Sequence, residues 1–420
     1  MRTRALHAVT LLYLLTAFAP PAVAQVDQQR AQEFFREAQA LCERDGGRLW
    51  GVSICAPMVI GDARTQTFAT SQPPPDAPRS KLVGILMGPI QWGDTVWAAL
   101  SWDIVANQPP RVRNAMFLHE SFHIVQRRLG LGVETDSAEH LDSVDGRYWL
   151  RLEWHALARA LRESGESRTL AVREALAFRQ ARRTRFPDKV ETERALDINE
   201  GLASYTGIVL AAQSEADAIT SALAELAGQE SGESYVRTAA YASGPAYGLL
   251  LDGASPGWTR QVRASDDLAT LLMRALGVEP VADHAAAAER YGGAELRVAE
   301  EQREQQRQAR IAELRRRFVD GPVLVMPGGG SGFSDSHGAV VIPEVGTVWF
   351  GEYHQKGEWG SLDADKGVLV SSDGRTRRLP APVRRDDTTI AGEGWTLKVA
   401  PGWVVREGAR RGDYEVVRQP

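Results

Sequence analysis

The chain has 420 residues, of which 43% are hydrophobic and 25% charged, a composition that fits globular protein with room for about two or three domains. Its formal net charge of −5 excludes the general basic field that nucleic-acid binding uses, so we expect no nucleic-acid partner.

Residues 1–24 have the pattern of a secretory signal peptide. Arg2 and Arg4 precede an apolar run over 9–18, and an A-x-A cleavage site ends at Ala24. The run is too short to span a bilayer, and no later stretch approaches the roughly 20 apolar residues that a transmembrane helix needs. We therefore expect an exported protein, secreted or periplasmic, cut after Ala24 and without a transmembrane segment.

The next part, residues 25–110, is predicted to be rich in β-structure after an amphipathic helix over 27–44. Cys42 and Cys55 both follow the cleavage site. In an oxidising compartment we expect them to form a disulfide, and the alternative is two buried thiols. Runs of β-forming residues then predict the strands of an antiparallel sheet, at 49–54, 58–60, 81–87 and 95–102.

Three tryptophans, Trp92, Trp97 and Trp102, cluster at the end of this part. We expect them to pack in the core or on a sheet face rather than to bind a substrate. The same segment is a candidate edge strand, to which an extended peptide would add through main-chain hydrogen bonds.

Residues 111–296 are predicted to be mostly helical. Apolar periodicity predicts helices at 147–161, 169–183, 195–213 and 233–251, the last interrupted by Gly244-Pro245. The second of these ends in a basic cluster that we expect to form a solvated face, namely Arg179, Arg182, Arg183 and Arg185.

A highly charged helix over 297–320 is predicted to link this helical part to a C-terminal antiparallel β module over 321–420. The module contains short β runs at 339–342, 347–350, 367–371, 395–399 and 414–417. A glycine-rich run at 328–332 lacks the G-K-[ST] ending of a phosphate loop and predicts a flexible loop.

The motif H-E-x-x-H stands at positions 119–123, in a segment without Gly or Pro that predicts a helix ending at Gly130. Positions i and i+4 of a helix share one face, so His119 and His123 can bind one metal ion. Glu120 would lie beside the ion and take a proton from the attacking water, as a zinc hydrolase requires. The alternative is a chance match to a short pattern.

A catalytic zinc site needs a third protein ligand. The metzincin pattern would need Gly at 126 and His at 129, where the sequence has Gln126 and Leu129. Glu200 is followed by small residues, so its helix could approach a neighbouring helix closely. The small residues are Gly201, Ala203, Ser204 and Gly207, and the other candidate ligands are Glu139, His140, Glu153 and His155.

Three segments in this order resemble the gluzincin metallopeptidases: His119-Glu120-x-x-His123, Asn199-Glu200-Gly201-x-Ala203 and Tyr241-Ala242-Ser243-Gly244. The resemblance implies a zincin-like α+β fold that acts on peptide or protein substrates. It implies Zn²⁺ as the cofactor, bound by His119, His123 and Glu200. It also implies Glu120 as the general base and Tyr241 as the donor to the oxyanion.

The sequence departs from that family in several places. The interval from His123 to Glu200 is long, and it predicts that the helices at 147–183 fold out as an insertion. Thermolysin-like enzymes have Asp where this chain has Ser204. The G-x-M-E-N segment of the aminopeptidases is absent, so aminopeptidase activity is not implied. Glu153 stays open as a rival ligand, and Tyr205 and Tyr247 as rival oxyanion donors.

The leading interpretation is an exported zinc-dependent metallopeptidase that hydrolyses peptide bonds. One alternative is a non-catalytic zinc protein on the same scaffold, in which Glu153 or His155 closes the coordination shell. The other is a binding or envelope-interaction protein in which the C-terminal β module carries the function. Metal content would separate the last of these from the other two.

Overall fold

The computed structural model describes residues 25–62, 65–78, 87–386 and 388–419, and for 333–337 and 385 their backbone only. The chain is mixed α+β, as predicted: a small N-terminal sheet, a mostly helical middle and a C-terminal β part. The predicted signal peptide and residues 81–86 of a predicted strand lie outside the described residues.

The N-terminal part begins with the predicted helix, α1. The side chain of Asp27 caps its first turn by accepting from the Arg30 amide, and Gly46 ends it in the left-handed conformation with φ 57°. The elements here are α1 (Gln28–Asp45), β1 (Met58–Asp62), β2 (Thr67–Thr70), β3 (Gly88–Trp92), β4 (Thr95–Ser101), α2 (Trp102–Val105) and α3 (Pro110–Gln126).

The N-terminal sheet has the strand order β2-β1-β4-β3. The prediction that this sheet is antiparallel is wrong for one of its three strand pairs. β1 pairs in parallel with β4, with Ile60 opposite Leu100, while the other two pairs are antiparallel. Period-2 patterns report a buried face and not strand direction, so the sequence could not show this crossover. The three tryptophans are buried, as predicted.

The strand predicted at 49–54 is wrong, because this stretch is a series of turns. Gly51 within it has φ 81°, in the left-handed region that regular strand geometry does not use. The stretch lies inside the loop that the Cys42–Cys55 disulfide closes, and that disulfide was predicted correctly.

The helical part contains α4 (Val144–Arg162), α5 (Gly165–Arg185), α6 (Val190–Leu196), a π-helical turn (Asp197–Gly201), α7 (Leu202–Ala211), α8 (Glu215–Glu230), α9 (Ala239–Ala254), α10 (Leu268–Leu276), α11 (His284–Glu289) and α12 (Gly293–Arg315). Short 3₁₀ turns lie at Glu139–Asp142, Pro187–Lys189 and Trp258–Arg260. The helix predicted at 195–213 is therefore divided by the π-turn, and α9 continues through Pro245 rather than breaking there.

Helices α4 and α5 do not fold out as an insertion, so that prediction is wrong. They pack against each other, and α4 also packs against α8, α9 and α12. Leu152 and Leu157 of α4 are completely buried in the core that also contains Phe122 of α3 and Leu202 of α7. The long interval between His123 and Glu200 therefore builds the central core of the helical part.

The predicted solvated basic face is also wrong for Arg179 and Arg182, which are buried. Both guanidinium groups bind the carboxylate of Glu153, at 2.7 Å from Arg179 Nε and 2.6 Å from Arg182 Nη1. Arg182 also binds Glu193, at 2.8 Å. The acidic partners come from other helices, which a local charge pattern does not reveal.

The charged helix α12 ends in a π-turn (Arg316–Asp320), and the C-terminal β part follows. Leu314 and Phe318 from this junction pack with Ile342, Val348 and Leu369 of the β part. The strands are β5 (Val323–Pro327), β6 (Ser331–Ile342), β7 (Gly346–Gly357), β8 (Gly360–Ala364), β9 (Val368–Ser371), β10 (Thr376–Pro380), β11 (Pro382–Arg385), β12 (Thr389–Gly392), β13 (Trp395–Val399), β14 (Trp403–Glu407) and β15 (Tyr414–Arg418).

These strands form one sheet in the order β11-β12-β13-β8-β7-β9-β10-β5-β15-β14, with β6 paired to β7. The pairs are antiparallel as predicted, except that β15 runs parallel to β5. Leu324, Trp359, Leu362 and Leu397 belong to the buried hydrophobic core of this β part. Among the described residues, no helix combines the length and apolarity needed to cross a membrane.

Candidate metal centre

Helix α3 carries the H-E-x-x-H motif and begins with Pro110 at its first position, where a missing N–H costs nothing. Phe117, Leu118 and Phe122 are buried and fix the rotation of the helix against the core. The two histidines consequently project from one face, and their Nε2 atoms lie 3.0 Å apart.

Glu200 lies beside the two histidines although its segment is distant from them in sequence. Its Oε2 atom lies 3.3 Å from the Nε2 atoms of both His119 and His123. With metal–ligand bonds of about 2.0–2.1 Å, tetrahedral ligand atoms lie about 3.3 Å apart, so the three atoms have the spacing of ligands around one small cation. The site residues themselves are only partly exposed, with side-chain exposures of 12–15%.

A π-turn places Glu200. It occupies Asp197–Gly201, between α6 and α7, and single π-turns within helices are frequent at functional sites. The side-chain amide of Gln126 donates to the carbonyl oxygens of Ile198 at 2.8 Å and Asn199 at 3.1 Å. The turn is therefore anchored directly to the helix that carries the histidines.

Close helix packing, which the small residues around Glu200 predicted, brings α7 against α3. A Cβ at Gly207 would lie 2.3 Å from the carbonyl oxygen of Ala115, so no larger residue fits without moving a backbone. On the other side, a Cβ at Gly244 of α9 would lie 2.2 Å from the Cα of Gly201. The three helices that bear site residues are thus in backbone contact.

The second nitrogen of each histidine has a protein partner. His123 Nδ1 lies 2.9 Å from Gln126 Oε1, and His119 Nδ1 lies 3.2 Å from Ser204 Oγ. Such partners orient metal-binding imidazoles and set which nitrogen is free to ligate. Sequence reasoning missed both roles, although Gln126 and Ser204 each lie about one helical turn after a site residue.

Glu120 is buried beside the two histidines, and one candidate ligand atom from each of the three side chains lies within 4.8 Å of the other two. The group could hold a metal ion. Burial raises the pKa of the Glu120 carboxyl, although the nearby histidines act to lower it. Strand β3 passes close to this carboxyl, since a Cβ on Gly88 would lie 3.9 Å from Glu120 Oε2.

Glu200 and His123 change each other's pKa values. Burial acts to raise the pKa of Glu200, but hydrogen bonds and charge interactions with His119 and His123 outweigh it and lower this pKa. Burial correspondingly acts to lower the pKa of His123, while Glu200 raises it above the ordinary value. The carboxylate of Glu200 is therefore ionised at neutral pH, as a metal ligand must be.

Among the three tyrosines considered from the sequence, Tyr241 is the one beside this group. Its ring packs edge-on against the ring of His119 with centroids 5.7 Å apart, and burial followed by the charge of Glu200 raises its pKa. Tyr205 instead donates to Asp252 at 2.7 Å, and Tyr247 donates to Glu153 at 2.8 Å.

The rival ligands have other partners. Glu153 is held by Arg179, Arg182 and Tyr247. His140 pairs with Glu193 at 2.8 Å, His155 pairs with Glu230 at 2.9 Å, and Glu139 is exposed in a 3₁₀ turn.

Two imidazole nitrogens and a carboxylate oxygen form a donor set that suits a divalent transition metal such as zinc, and the fit rests on the distances above. Comparison of the chain with protein-family models, with curated proteins and with solved structures finds no match.

Proposed function

We propose that the protein is an exported zinc-dependent peptidase in which His119, His123 and Glu200 bind the metal. The observation that carries the proposal is the position of Glu200 Oε2, at 3.3 Å from both imidazole nitrogens although it comes from a distant segment. Three protein ligands leave a coordination position open for reaction, which distinguishes catalytic from structural zinc sites.

The bound zinc would act as a Lewis acid that lowers the pKa of water and polarises the substrate carbonyl. Glu120 acts as the general base, since it is buried next to the histidines and burial raises its pKa toward the range in which a carboxylate accepts protons efficiently. It then delivers the proton to the leaving amine. The hydroxyl of Tyr241 donates a hydrogen bond to the developing oxyanion.

Strand β3 supplies the candidate substrate-binding edge. It is the terminal strand of the N-terminal sheet, and a Cβ on Gly88 at its start would lie 3.9 Å from Glu120 Oε2. An extended peptide that pairs with this edge would pass directly over the candidate base. Peptide or protein is therefore the substrate class that we propose, with export supported by the signal-peptide pattern and the Cys42–Cys55 disulfide.

A closed, non-catalytic zinc site is the second candidate. Glu153 and His155 are engaged elsewhere, but Glu120 is near enough to the histidines to serve as a fourth ligand. In that case the metal would have four protein ligands and no open position. The role of Glu120 is thus what separates the two functions.

The test uses the mature protein, its Glu120→Gln variant and its His119→Ala variant, with the exposed Glu134→Gln as the matched control. We expect wild type and Glu134→Gln to cleave a mixed peptide library and to stop when a chelator removes zinc. Glu120→Gln should bind zinc as wild type does but lose about 10²–10⁴ in rate. His119→Ala should lose zinc and activity together.

Two outcomes would contradict the peptidase. If Glu120→Gln cleaves as fast as wild type, Glu120 is not the base. If zinc-loaded wild type cleaves nothing in the library and Glu120→Gln binds zinc more weakly, the closed structural site is correct.

A further inference from the structure

We propose that Gln126 is a positioning residue whose single side-chain amide fixes the ring of His123 and holds the turn that carries Glu200. The inference rests on the proposed metal centre and adds to it a residue that contacts no metal. One buried amide makes the three hydrogen bonds that this role requires.

Gln126 is 2% exposed, and both the nitrogen and the oxygen of its side-chain amide make hydrogen bonds. The two N–H bonds of Nε2 point to the carbonyl oxygens of Ile198 and Asn199, while Oε1 faces His123 Nδ1 at 2.9 Å. Carbonyl oxygens only accept, so the nitrogen of the amide has to be on their side. The reverse orientation would place Oε1 against two acceptors.

This orientation determines the tautomer of His123. An amide oxygen accepts hydrogen bonds and never donates them, so the proton of the neutral imidazole lies on Nδ1. The unprotonated nitrogen is then Nε2, which is the atom that faces His119 and Glu200. Gln126 therefore leaves the lone pair of His123 directed at the candidate metal position.

The amide nitrogen of Gln126 supports the position of Glu200 instead. Asn199 directly precedes Glu200 within the π-turn, and both carbonyls that Gln126 binds belong to that turn. One side chain on α3 thus joins two of the three proposed ligands. His119 has a weaker counterpart, because the Ser204 hydroxyl at 3.2 Å can donate or accept and does not by itself select a tautomer.

Two substitutions separate the halves of this role. Leucine has nearly the same length as glutamine, so Gln126→Leu removes both the contact with His123 and the hydrogen bonds to the π-turn. Gln126→Glu keeps an acceptor for His123 Nδ1 but has no N–H for the carbonyls of Ile198 and Asn199. Ser121→Ala is the control on the same helix, because it also removes a buried hydrogen bond, from Ser121 Oγ to the Phe117 carbonyl at 2.7 Å.

The measurement is the affinity of the metal-stripped protein for Zn²⁺, titrated against a chromophoric chelator, together with the visible absorption spectrum of the Co²⁺ form. We expect one zinc per wild-type chain, an affinity about 10–100-fold lower for Gln126→Leu, and an intermediate value for Gln126→Glu. The cobalt spectrum should change in Gln126→Leu and remain that of wild type in Ser121→Ala.

The outcomes are distinguishable from those that test the peptidase. If wild type binds zinc and Gln126→Leu binds it equally well, the role of Gln126 is wrong while the metal centre stands. If Gln126→Glu binds no better than Gln126→Leu, the contact with His123 does not support ligation. If wild type binds no zinc, both proposals fall.

Discussion

Arg179 donates from Nη1 to Asp197 Oδ2 at 2.6 Å, and Asp197 is the first residue of the π-turn that carries Glu200. The same guanidinium donates from Nε to Glu153 at 2.7 Å. All three side chains are buried. A buried ion-pair cluster, formed by Glu153, Arg179, Arg182, Glu193 and Asp197, therefore ties α4, α5 and α6 to the candidate metal centre.

Replacement of Arg179 should destabilise the fold strongly. Arg179→Met would leave the buried carboxylate of Asp197 without its cation, and removal of one partner from a buried ion pair commonly costs about 3–5 kcal/mol. Arg185→Met is the control at the exposed end of the same helix, where the change should be about 1 kcal/mol or less. Urea unfolding of the metal-free proteins measures both, and equal midpoints would contradict the prediction.

The cluster also predicts that acid weakens the fold. Burial acts to raise the pKa of Glu193, but the charge of Arg182 and hydrogen bonds from His140 and Arg182 outweigh it and place this pKa well below the ordinary value. The pKa of Glu153 is lowered in the same way by Arg179 and Arg182. A carboxylate with a depressed folded-state pKa stabilises the fold above its unfolded pKa of about 4.3, and the stabilisation is lost as pH falls.

We therefore expect the stabilisation that Glu153 and Glu193 give the metal-free protein to hold between pH 7 and about pH 5 and to fall below that. Asp197 opposes the trend, because burial raises its pKa. Glu193→Gln isolates the contribution: it should be less stable than wild type at pH 7 yet lose less between pH 5 and 3. Parallel stability curves for the two proteins would show that Glu193 does not contribute.

Trp50 connects the disulfide loop to the candidate metal centre. Its ring lies 4.7 Å from that of Phe122, which directly precedes His123, and its Nε1 donates to Thr206 Oγ1 of α7 at 2.9 Å. The Cys42–Cys55 bond, across 13 positions, closes the loop that holds this side chain. The loop therefore contacts both α3, which carries the histidines, and α7, which follows Glu200.

Loss of the disulfide should accordingly weaken zinc binding. A double Cys42→Ser, Cys55→Ser variant should lose about 3 kcal/mol of stability, the scale for a loop of this length, and should bind zinc more weakly than wild type. Trp50→Phe keeps the disulfide and should lose only about 1 kcal/mol with the hydrogen bond to Thr206. Zinc affinity unchanged in the double cysteine variant would mean that the loop does not support the centre.

Features set by short-range pattern could be predicted from the sequence. Helix α1, the shared face of His119 and His123, and the disulfide each depend on spacing within a few turns of chain. The small residues after Glu200 indicated the close approach of α7 to another helix.

Features set by distant partners could not. Arg179 is separated by 26 positions from Glu153, so nothing in its own basic run reports that it is buried. The π-turn depends on donors from Gln126, more than 70 positions earlier, and the parallel β1–β4 pair depends on how a connection crosses the sheet. These contacts exist only once the chain is folded.

The backbones of α3 and α7 approach each other closely beside the proposed ligands. Gly207 of α7 faces the carbonyl oxygen of Ala115, which a Cβ would meet at 2.3 Å. Because neither partner is a flexible side chain, Gly207→Ala has to push α7 away from α3. Glu200 and Ser204 move with α7, and His119 and His123 stay with α3, so the proposed ligands separate.

We expect Gly207→Ala to lose about 1–3 kcal/mol of stability, the scale for overpacking, and to bind zinc about tenfold more weakly or worse. Gly228→Ala is the matched control within α8, where an added Cβ meets nothing within 4 Å. There the better helix propensity of alanine should stabilise the protein by up to about 1 kcal/mol and leave zinc binding unchanged. Zinc titration and urea unfolding of both variants decide the matter: if Gly207→Ala binds zinc as tightly as Gly228→Ala, contact between the α3 and α7 backbones does not set the spacing of His119, His123 and Glu200.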